Sequence, residues 1–160
     1  MTAAFRVGCG VDAHRFGGSG PLMLGTVEVP HDTGLVGHSD GDVAAHAVCD
    51  ALLAAAGLAD IGAHFPPGDP EWAGVSGERL LRETVALIAG SGLRPVNAHV
   101  VVVCESPRVG PYREAMQLGM SAAVGAPVTV HATTTERMGF TGRGEGIACN
   151  AVALVEGAGE

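Results

Sequence analysis

The sequence predicts a single α+β domain over residues 1–160, in which a mixed β-sheet carries its helices on one face. Strand-like and helix-like segments alternate after an opening pair of strands, which favours split β-α-β crossings of the ferredoxin-like kind. No linker, internal repeat or low-complexity segment divides the chain, and 160 residues are enough for one hydrophobic core.

The strands are predicted from short runs of apolar and β-branched residues. The run VNAHVVVVCES at 96–106 gives the strongest signal, because it contains four consecutive β-branched valines. Gly25 interrupts the run LMLGTVEV at 22–29, so that segment is expected to bend or to form a hairpin. The other predicted strands are FRVGCGVDAHRF at 5–16, LMLGTVEV at 22–29, PVTVHATTT at 127–135 and IACNAVALVE at 147–156.

Three helices are predicted, over residues 42–57, 77–90 and 111–125. The first ends at Gly57, a residue type that commonly terminates helices, and the second has the apolar spacing of an amphipathic helix. The third begins with a proline, which is tolerated in a first helical turn. Residues 60–77 are rich in Gly, Pro and Asp and are predicted to form an irregular loop.

Composition narrows the classes of partner. The net charge of −8 argues against nucleic-acid binding, which needs basic patches. All nine basic residues are arginine, so lysine chemistry is excluded. Charged residues make up only 16% of the chain, which favours an oligomer that buries part of its surface. No apolar run approaches the length of a membrane helix and the start lacks a signal-peptide core, so no membrane association and a cytoplasmic location are expected.

The four cysteines stand far apart and form no C-x-x-C pair. Cys9, Cys49, Cys104 and Cys149 are therefore predicted to be small buried apolar residues of a protein in a reducing compartment. A disulfide or a zinc ligand among them is the alternative.

Polar residues interrupt the first predicted helix, in HSDGDVAAHAVCDALLAAAGLADIG, at a spacing of four. Asp42, His46 and Asp50 therefore share one helix face. Asp12 and His14, two apart on the first strand, point to one side. Together with His46 they predict a three-ligand zinc site with an open position, and Asp42 or Asp50 could accept a hydrogen bond from the second nitrogen of His46. Taken separately, an Asp-x-His pair such as Asp12 and His14 is usually a surface feature, and a lone histidine on a buried helix usually belongs to the core.

The segment HATTTERMGFTGRGEGIACN gives a second chemical signal. Threonine hydroxyls and backbone N–H groups there could hold phosphate oxygens, and Glu136 could hold a hard cation that bridges them. The alternative is that the threonines reflect β-propensity and that Glu136 begins a helix. Four glycines surround Arg143, so this backbone can approach a ligand or another chain closely.

These motifs, taken in order, carry a family resemblance. VDAHRF, PLMLG, HSDGDVAAHAVCDALLAAAGLADIG, HFP and ATTTERMGFTGRGEGIAC resemble the 2-C-methyl-D-erythritol 2,4-cyclodiphosphate synthases of the non-mevalonate isoprenoid pathway, from about residue 5 to residue 155. The resemblance implies a homotrimeric phosphorus–oxygen lyase with sites between subunits. Its small-molecule substrate would be 4-diphosphocytidyl-2-C-methyl-D-erythritol 2-phosphate, whose own 2-phosphate attacks the β-phosphorus and releases CMP.

The resemblance also implies roles for individual residues. Asp12, His14 and His46 would bind Zn²⁺, and Glu136 would bind Mg²⁺ or Mn²⁺ beside the diphosphate. The catalytic polar groups would be His38 and Thr134. Residues implied at the methylerythritol end are Asp12, His14, His38, Ser39, Asp60, Ile61, Gly62, Phe65 and Asp69. Those implied at the cytidine end are Cys104, Arg108, Val109, Gly110, Ala132, Thr133 and Thr134, and the other residues implied to bind substrate are Thr135, Glu136, Phe140 and Arg143.

Two positions depart from the family pattern, and two rival functions remain open. Arg108 stands where the family usually has lysine, and Asn150 stands where many members have a glutamate near Arg143 in a central channel. The second departure leaves open how Arg143 is neutralised and whether that channel binds a prenyl diphosphate.

The rival functions are a zinc-dependent phosphodiesterase, which would put solvent oxygen into its product, and a non-catalytic trimeric protein that binds metal or prenyl diphosphate.

Overall fold

Five strands form the main sheet of this computed structural model, which describes residues 4–157. Residues 1–3 and 158–160 of the predicted domain lie outside the described part. The strands are β1 (Phe5–Gly18), β2 (Leu22–Leu24), β3 (Val27–Val29), β4 (Gly34–Leu35), β5 (Leu93–Val103), β6 (Val128–Thr133) and β7 (Gly146–Gly157). The helices are α1 (Val43–Ala56), α2 (Ile61–His64), α3 (Gly77–Gly90), α4 (Arg113–Val124) and α5 (Gly139–Gly142).

The main sheet has the strand order β4-β1-β7-β5-β6, and β2 pairs with β3 as a separate hairpin. β7 is antiparallel to both β1 and β5, so β1 and β5 are parallel with β7 between them. This is the predicted split β-α-β crossing. The second crossing, through α4, is not split, because β5 and β6 are direct parallel neighbours. The predicted α+β domain with a mixed sheet is confirmed.

The helices cover one face of the sheet, as predicted. α1 lies against β1 so closely that a Cβ atom on Gly10 would sit 2.1 Å from the carbonyl oxygen of Ala47. Only glycine permits this approach, because any side chain would overlap the helix backbone. On the other face of the sheet the apolar side chains remain exposed in the single chain. We call this surface the open face, and it consists of Phe5, Val7, Cys9, Val11 and Val152.

The cysteine prediction is confirmed at three positions and wrong at the fourth. Cys49, Cys104 and Cys149 are buried, whereas Cys9 is exposed, and all four thiols are free. Cys9 is exposed because alternate residues of β1 point away from α1. Burial raises the pKa of Cys49 to about 12 and that of Cys104 to about 11, so both remain thiols.

The long helices lie where the sequence predicts them. Asp42 caps α1 by accepting a hydrogen bond from the N–H of Ala45 at 3.0 Å, and Gly57 ends the helix in a left-handed conformation. The predicted irregular loop at 60–77 is more ordered than expected, since it contains α2 and a 3₁₀ turn at Pro70–Trp72. None of the helices within residues 4–157 is both long and apolar enough to cross a membrane.

Candidate metal centre and substrate pockets

Three side chains from two elements converge beside α1. Asp12 and His14 leave the helix-covered face of β1, and His46 projects from α1 toward them. One carboxylate oxygen of Asp12 lies 2.9 Å from Nε2 of His14 and 3.0 Å from Nδ1 of His46, and those two nitrogens are 3.2 Å apart. Two imidazoles and one carboxylate around a common point form the donor set of a catalytic zinc site.

The outward nitrogens of both histidines also have partners. Nδ1 of His14 contacts the carbonyl oxygen of Val36, and Nε2 of His46 lies 3.0 Å from the hydroxyl oxygen of Ser39. A proton held on each outward nitrogen leaves the inward nitrogen free for a cation, so the arrangement fits a metal ion. The prediction that Asp42 or Asp50 holds His46 is therefore wrong.

Those two carboxylates have other tasks. Asp42 is fully buried and accepts hydrogen bonds from the N–H groups of Gly25 and Thr26 at 2.8 and 2.6 Å, besides capping α1. Asp50 accepts the N–H of Ile61 at 2.8 Å and so attaches α2 to α1. Backbone N–H groups at the ends of neighbouring elements need acceptors, and they use both carboxylates.

Electrostatics favour a negative Asp12 beside the two imidazoles. Burial alone would raise the pKa of Asp12, but its hydrogen bonds with His14 and His46 outweigh burial and hold that pKa well below its usual range. The hydrogen bond with Asp12 raises the pKa of His14, although burial opposes the shift. The interaction that favours a proton on His14 would equally favour a cation at this position.

The cluster opens into an apolar pocket of about 210 Å³. His38, Ser39, Ile61, Gly62 and Phe65 line this pocket, so five of the residues implied at the methylerythritol end lie beside the metal ligands. We call it the metal pocket. Sequence reasoning missed part of its wall, where Trp72 meets the ring of Phe65 edge-on and Val75 and Leu80 complete the apolar lining.

Two residues implied at that end are placed differently. Asp60 caps α2 by accepting the N–H of Ala63 at 3.0 Å, and Asp69 caps the 3₁₀ turn through the N–H of Glu71 at 2.9 Å. Both carboxylates are exposed, and neither residue lines the metal pocket.

A second pocket of about 560 Å³ lies at the ends of β5 and β6. We call it the loop pocket, because the loops that follow the two strands line it. Arg108 is exposed there and is the basic side chain of the lining. The residues implied at the cytidine end that line it are Cys104, Arg108, Val109, Gly110, Ala132, Thr133 and Thr134.

Glu136 lies just beyond this pocket in an unusual turn. Glu136 and Arg137 have φ values of 51° and 64°, a left-handed conformation that is unfavourable for residues other than glycine. The Thr134 hydroxyl donates a hydrogen bond to the Glu136 carboxylate at 3.0 Å, and Glu105 accepts the N–H of Arg137 at 3.1 Å. Glu105 also lines the loop pocket.

The glycine-rich segment stands apart from both pockets. Phe140 is exposed on α5, and the Thr135 hydroxyl contacts that of Thr141 at 2.8 Å. Arg143 pairs with Glu145 at 2.8 Å, so it has a carboxylate partner although position 150 is an asparagine. Both side chains are more than half exposed, and a surface pair of this kind contributes little binding energy.

Comparison with known proteins identifies the family. The model of the YgbB family matches residues 5–156. A protein of Symbiobacterium thermophilum named 2-C-methyl-D-erythritol 2,4-cyclodiphosphate synthase is 54% identical over 94% of this chain and 98% of its own.

Two solved structures share the fold. The bifunctional IspDF of Campylobacter jejuni superposes with a TM-score of 0.92 at 34% identity, over 98% of this chain and 43% of that one. A CDP-bound 2C-methyl-D-erythritol-2,4-cyclodiphosphate synthase gives a TM-score of 0.85 at 36% identity, over 94% and 99%. With the family model matching nearly its whole length, the chain belongs to the YgbB family.

Proposed function

We propose that this chain is a 2-C-methyl-D-erythritol 2,4-cyclodiphosphate synthase, a phosphorus–oxygen lyase that acts in the cytoplasm. The observation that carries the proposal is the Asp12–His14–His46 cluster at the mouth of an apolar pocket, in a chain 54% identical to a synthase of that name. Free cysteines suit a reducing compartment.

In the proposed reaction the substrate supplies its own nucleophile. An oxygen of the 2-phosphate bonds to the β-phosphorus, and the bond from that phosphorus to the oxygen shared with the cytidine monophosphate breaks, so CMP leaves with that oxygen. Catalysis then requires positioning and charge neutralisation, and no side chain of the protein need attack. The absence of lysine does not hinder such chemistry, because arginine and cations can meet the phosphates.

Each pocket has a distinct task in this proposal. Zn²⁺ held by Asp12, His14 and His46 would neutralise phosphate oxygens, while Phe65 and its apolar neighbours hold the carbon skeleton away from water. Arg108 would bind phosphate through its planar guanidinium, and Glu136 would hold Mg²⁺ or Mn²⁺ against the diphosphate. His38 and Thr134 would donate hydrogen bonds where negative charge develops.

The distance between the pockets supports a site formed by two subunits. Asp12 pairs with Cys149, Cys149 with Val102, and Val102 with Ala132, so Asp12 and Ala132 lie in one row across the sheet. Three strand spacings separate them by about 14 Å. A separation of that size favours a substrate bound between the metal pocket of one chain and the loop pocket of another. The exposed apolar residues of the open face favour assembly, and the family resemblance specifies a homotrimer.

Mixing two defective chains tests the shared site. His46→Ala removes a ligand of the metal pocket, and Glu136→Gln alters the loop pocket. Each variant should be nearly inactive alone, whereas assemblies reformed from both should regain activity, because some interfaces then join two intact halves. Turnover of the cytidine-diphosphate substrate is measured before and after mixing. No recovery in mixed assemblies of verified composition would show that both pockets must belong to one chain.

The metal roles are tested in Glu136→Gln alone. This variant should keep its zinc, its assembly and its CMP affinity, yet lose about a hundredfold or more in single-turnover rate, because the carboxylate acts mainly as charge shifts to the leaving group. Zinc is quantified on the same sample. Reaction in ¹⁸O-water distinguishes the phosphodiesterase, which would put solvent oxygen into its product, and near-normal turnover would leave Glu136 without a catalytic role.

A further inference from the structure

The segment His38–Ser39–Asp40 borders two cavities. The metal pocket lies on one side, lined by His38 and Ser39. A second cavity of about 550 Å³ lies on the other, lined by Ser39 and Asp40 together with residues of β1 and the loop that follows it. A segment that borders two cavities depends more strongly on hydrogen bonds for its position, because less of it packs against other side chains.

Asp40 takes part in three of those hydrogen bonds. One carboxylate oxygen accepts the N–H of Asp42 at 3.0 Å, which closes a local turn. The other accepts the N–H of Gly77 at 2.9 Å, at the start of α3. The backbone N–H of Asp40 donates to the carbonyl of Val75 at 3.0 Å, and the N–H of Gly74 donates to the carbonyl of His38 at 2.8 Å. The segment is thus tied to residues 74–77.

Both segments that these hydrogen bonds join contribute residues to the metal pocket. Upstream, the Ser39 hydroxyl holds Nε2 of His46, and His38 lines the pocket. Downstream, Val75 and Leu80 form part of the apolar wall. The Asp40 carboxylate, together with two backbone hydrogen bonds, therefore joins two walls of the pocket.

We propose that Asp40 is a positioning residue, which sets the distance between the His38–Ser39 segment and the wall formed by the start of α3. The expected effect on turnover rests on the proposed function. The hydrogen bonds between residues 38–40 and residues 74–77, which we call the tie, do not depend on that function. Displacing His38 and Ser39 by a fraction of an ångström would misplace hydrogen-bond donors that act in the transition state, so kcat should suffer more than KM.

Asp40→Asn is the first test, because asparagine keeps the volume but can accept through only one oxygen. Zinc content should stay unchanged, kcat should fall about tenfold or more, and KM should change by less than about threefold. Asp40→Ser keeps an oxygen that can accept the N–H of Asp42 in the local turn, but the shorter side chain cannot reach the N–H of Gly77. It should therefore show the same fall in kcat. That result would assign the effect to the hydrogen bond with Gly77 and not to the local turn.

Ser76→Ala is the matched control. Ser76 caps the same end of α3 by accepting the N–H of Arg79 at 3.2 Å, and its hydroxyl makes no hydrogen bond with residues 38–40. This variant should lower Tm by several degrees and leave kcat within about twofold. If Ser76→Ala lowers kcat as much as Asp40→Asn does, Asp40 is only a structural cap of α3 and the proposal fails.

Amide hydrogen exchange separates this inference from the proposed function. In zinc-loaded protein, the amides of residues 37–41 should exchange at least about tenfold faster in both Asp40 variants than in the wild type or in Ser76→Ala. Unchanged exchange would overturn the tie, whatever the activity. If the wild type proves to be no synthase while exchange responds as expected, the proposed function fails and the tie stands.

Discussion

The Asp12 carboxylate serves two imidazoles, and His46 completes the cluster from α1 with only 7% of its surface exposed. His46→Ala should therefore abolish stoichiometric zinc binding, because two remaining ligands hold zinc poorly. Atomic absorption on purified protein measures the loss. His31→Ala is the control, since His31 stacks on Phe16 away from the cluster and should leave zinc content unchanged. Full zinc in His46→Ala would rule out this ligand set.

The raised pKa of His14 predicts a pH dependence of the metal-free protein. A folded pKa above the ordinary 6.5 means that the Asp12–His14 pair stabilises the fold fully at low pH, and this contribution is lost as pH rises through the folded pKa. Zinc competes with the same proton, so its affinity should rise over that range. Urea unfolding from about pH 6 to about pH 9, compared with Asp12→Asn, measures the contribution. Equal slopes in both proteins would contradict it.

Single residues also show where sequence reasoning stops. Spacing placed Asp12, His14 and His46 together, because a strand repeats every two residues and a helix every 3.6. The same spacing wrongly suggested Asp42 and Asp50 as partners of His46. Spacing cannot show that these two carboxylates instead accept hydrogen bonds from backbone N–H groups of the β2–β3 hairpin and of α2. Partners from distant loops, such as Ser39 and the carbonyl of Val36, follow only from the fold.

The packing of α1 on β1 predicts a large effect from one methyl group. Gly10→Ala would place Cβ 2.1 Å from the carbonyl of Ala47 and 2.6 Å from the N of Ala51, so strand and helix must separate. The free energy of unfolding should fall by about 3 kcal/mol, measured by denaturant unfolding. Gly90→Ala is the control, because its Cβ would meet nothing within 4 Å. Comparable losses in the two variants would refute a close contact at Gly10.

Helix and strand boundaries followed from local chemistry where that chemistry was strong. Helix α1 begins after Asp42 and ends before Gly57, as predicted, because a capping carboxylate and a left-handed glycine are both local signals. The short α2 was missed because residues 60–77 are rich in Gly, Pro and Asp, which resembles a loop. Its four residues are held by the Asp60 cap and by Asp50 of α1, and only the second contact is remote in sequence.

The open face predicts that assembly depends on apolar contact. Val11→Asp would place a carboxylate on this face, where Val11 is 67% exposed in the single chain. Sedimentation equilibrium at micromolar concentration should show monomers and the activity should be lost, because burying an unpaired charge is costly. Leu118→Asp on α4 is the matched control, since Leu118 is equally exposed at 67% but lies outside that face. A trimeric Val11→Asp protein would place the interface elsewhere.

The separation of Asp12 from Ala132 also has a genetic consequence. In the proposed assembly, a cell that expresses a normal and a defective allele equally makes mixed trimers. A chain defective only at Glu136 spoils the one interface that uses its loop pocket, so about half of the sites survive. A chain defective at both His46 and Glu136 spoils the interfaces on both of its sides, and about a quarter survive. The doubly defective allele is therefore the more dominant of the two, although neither chain has activity of its own.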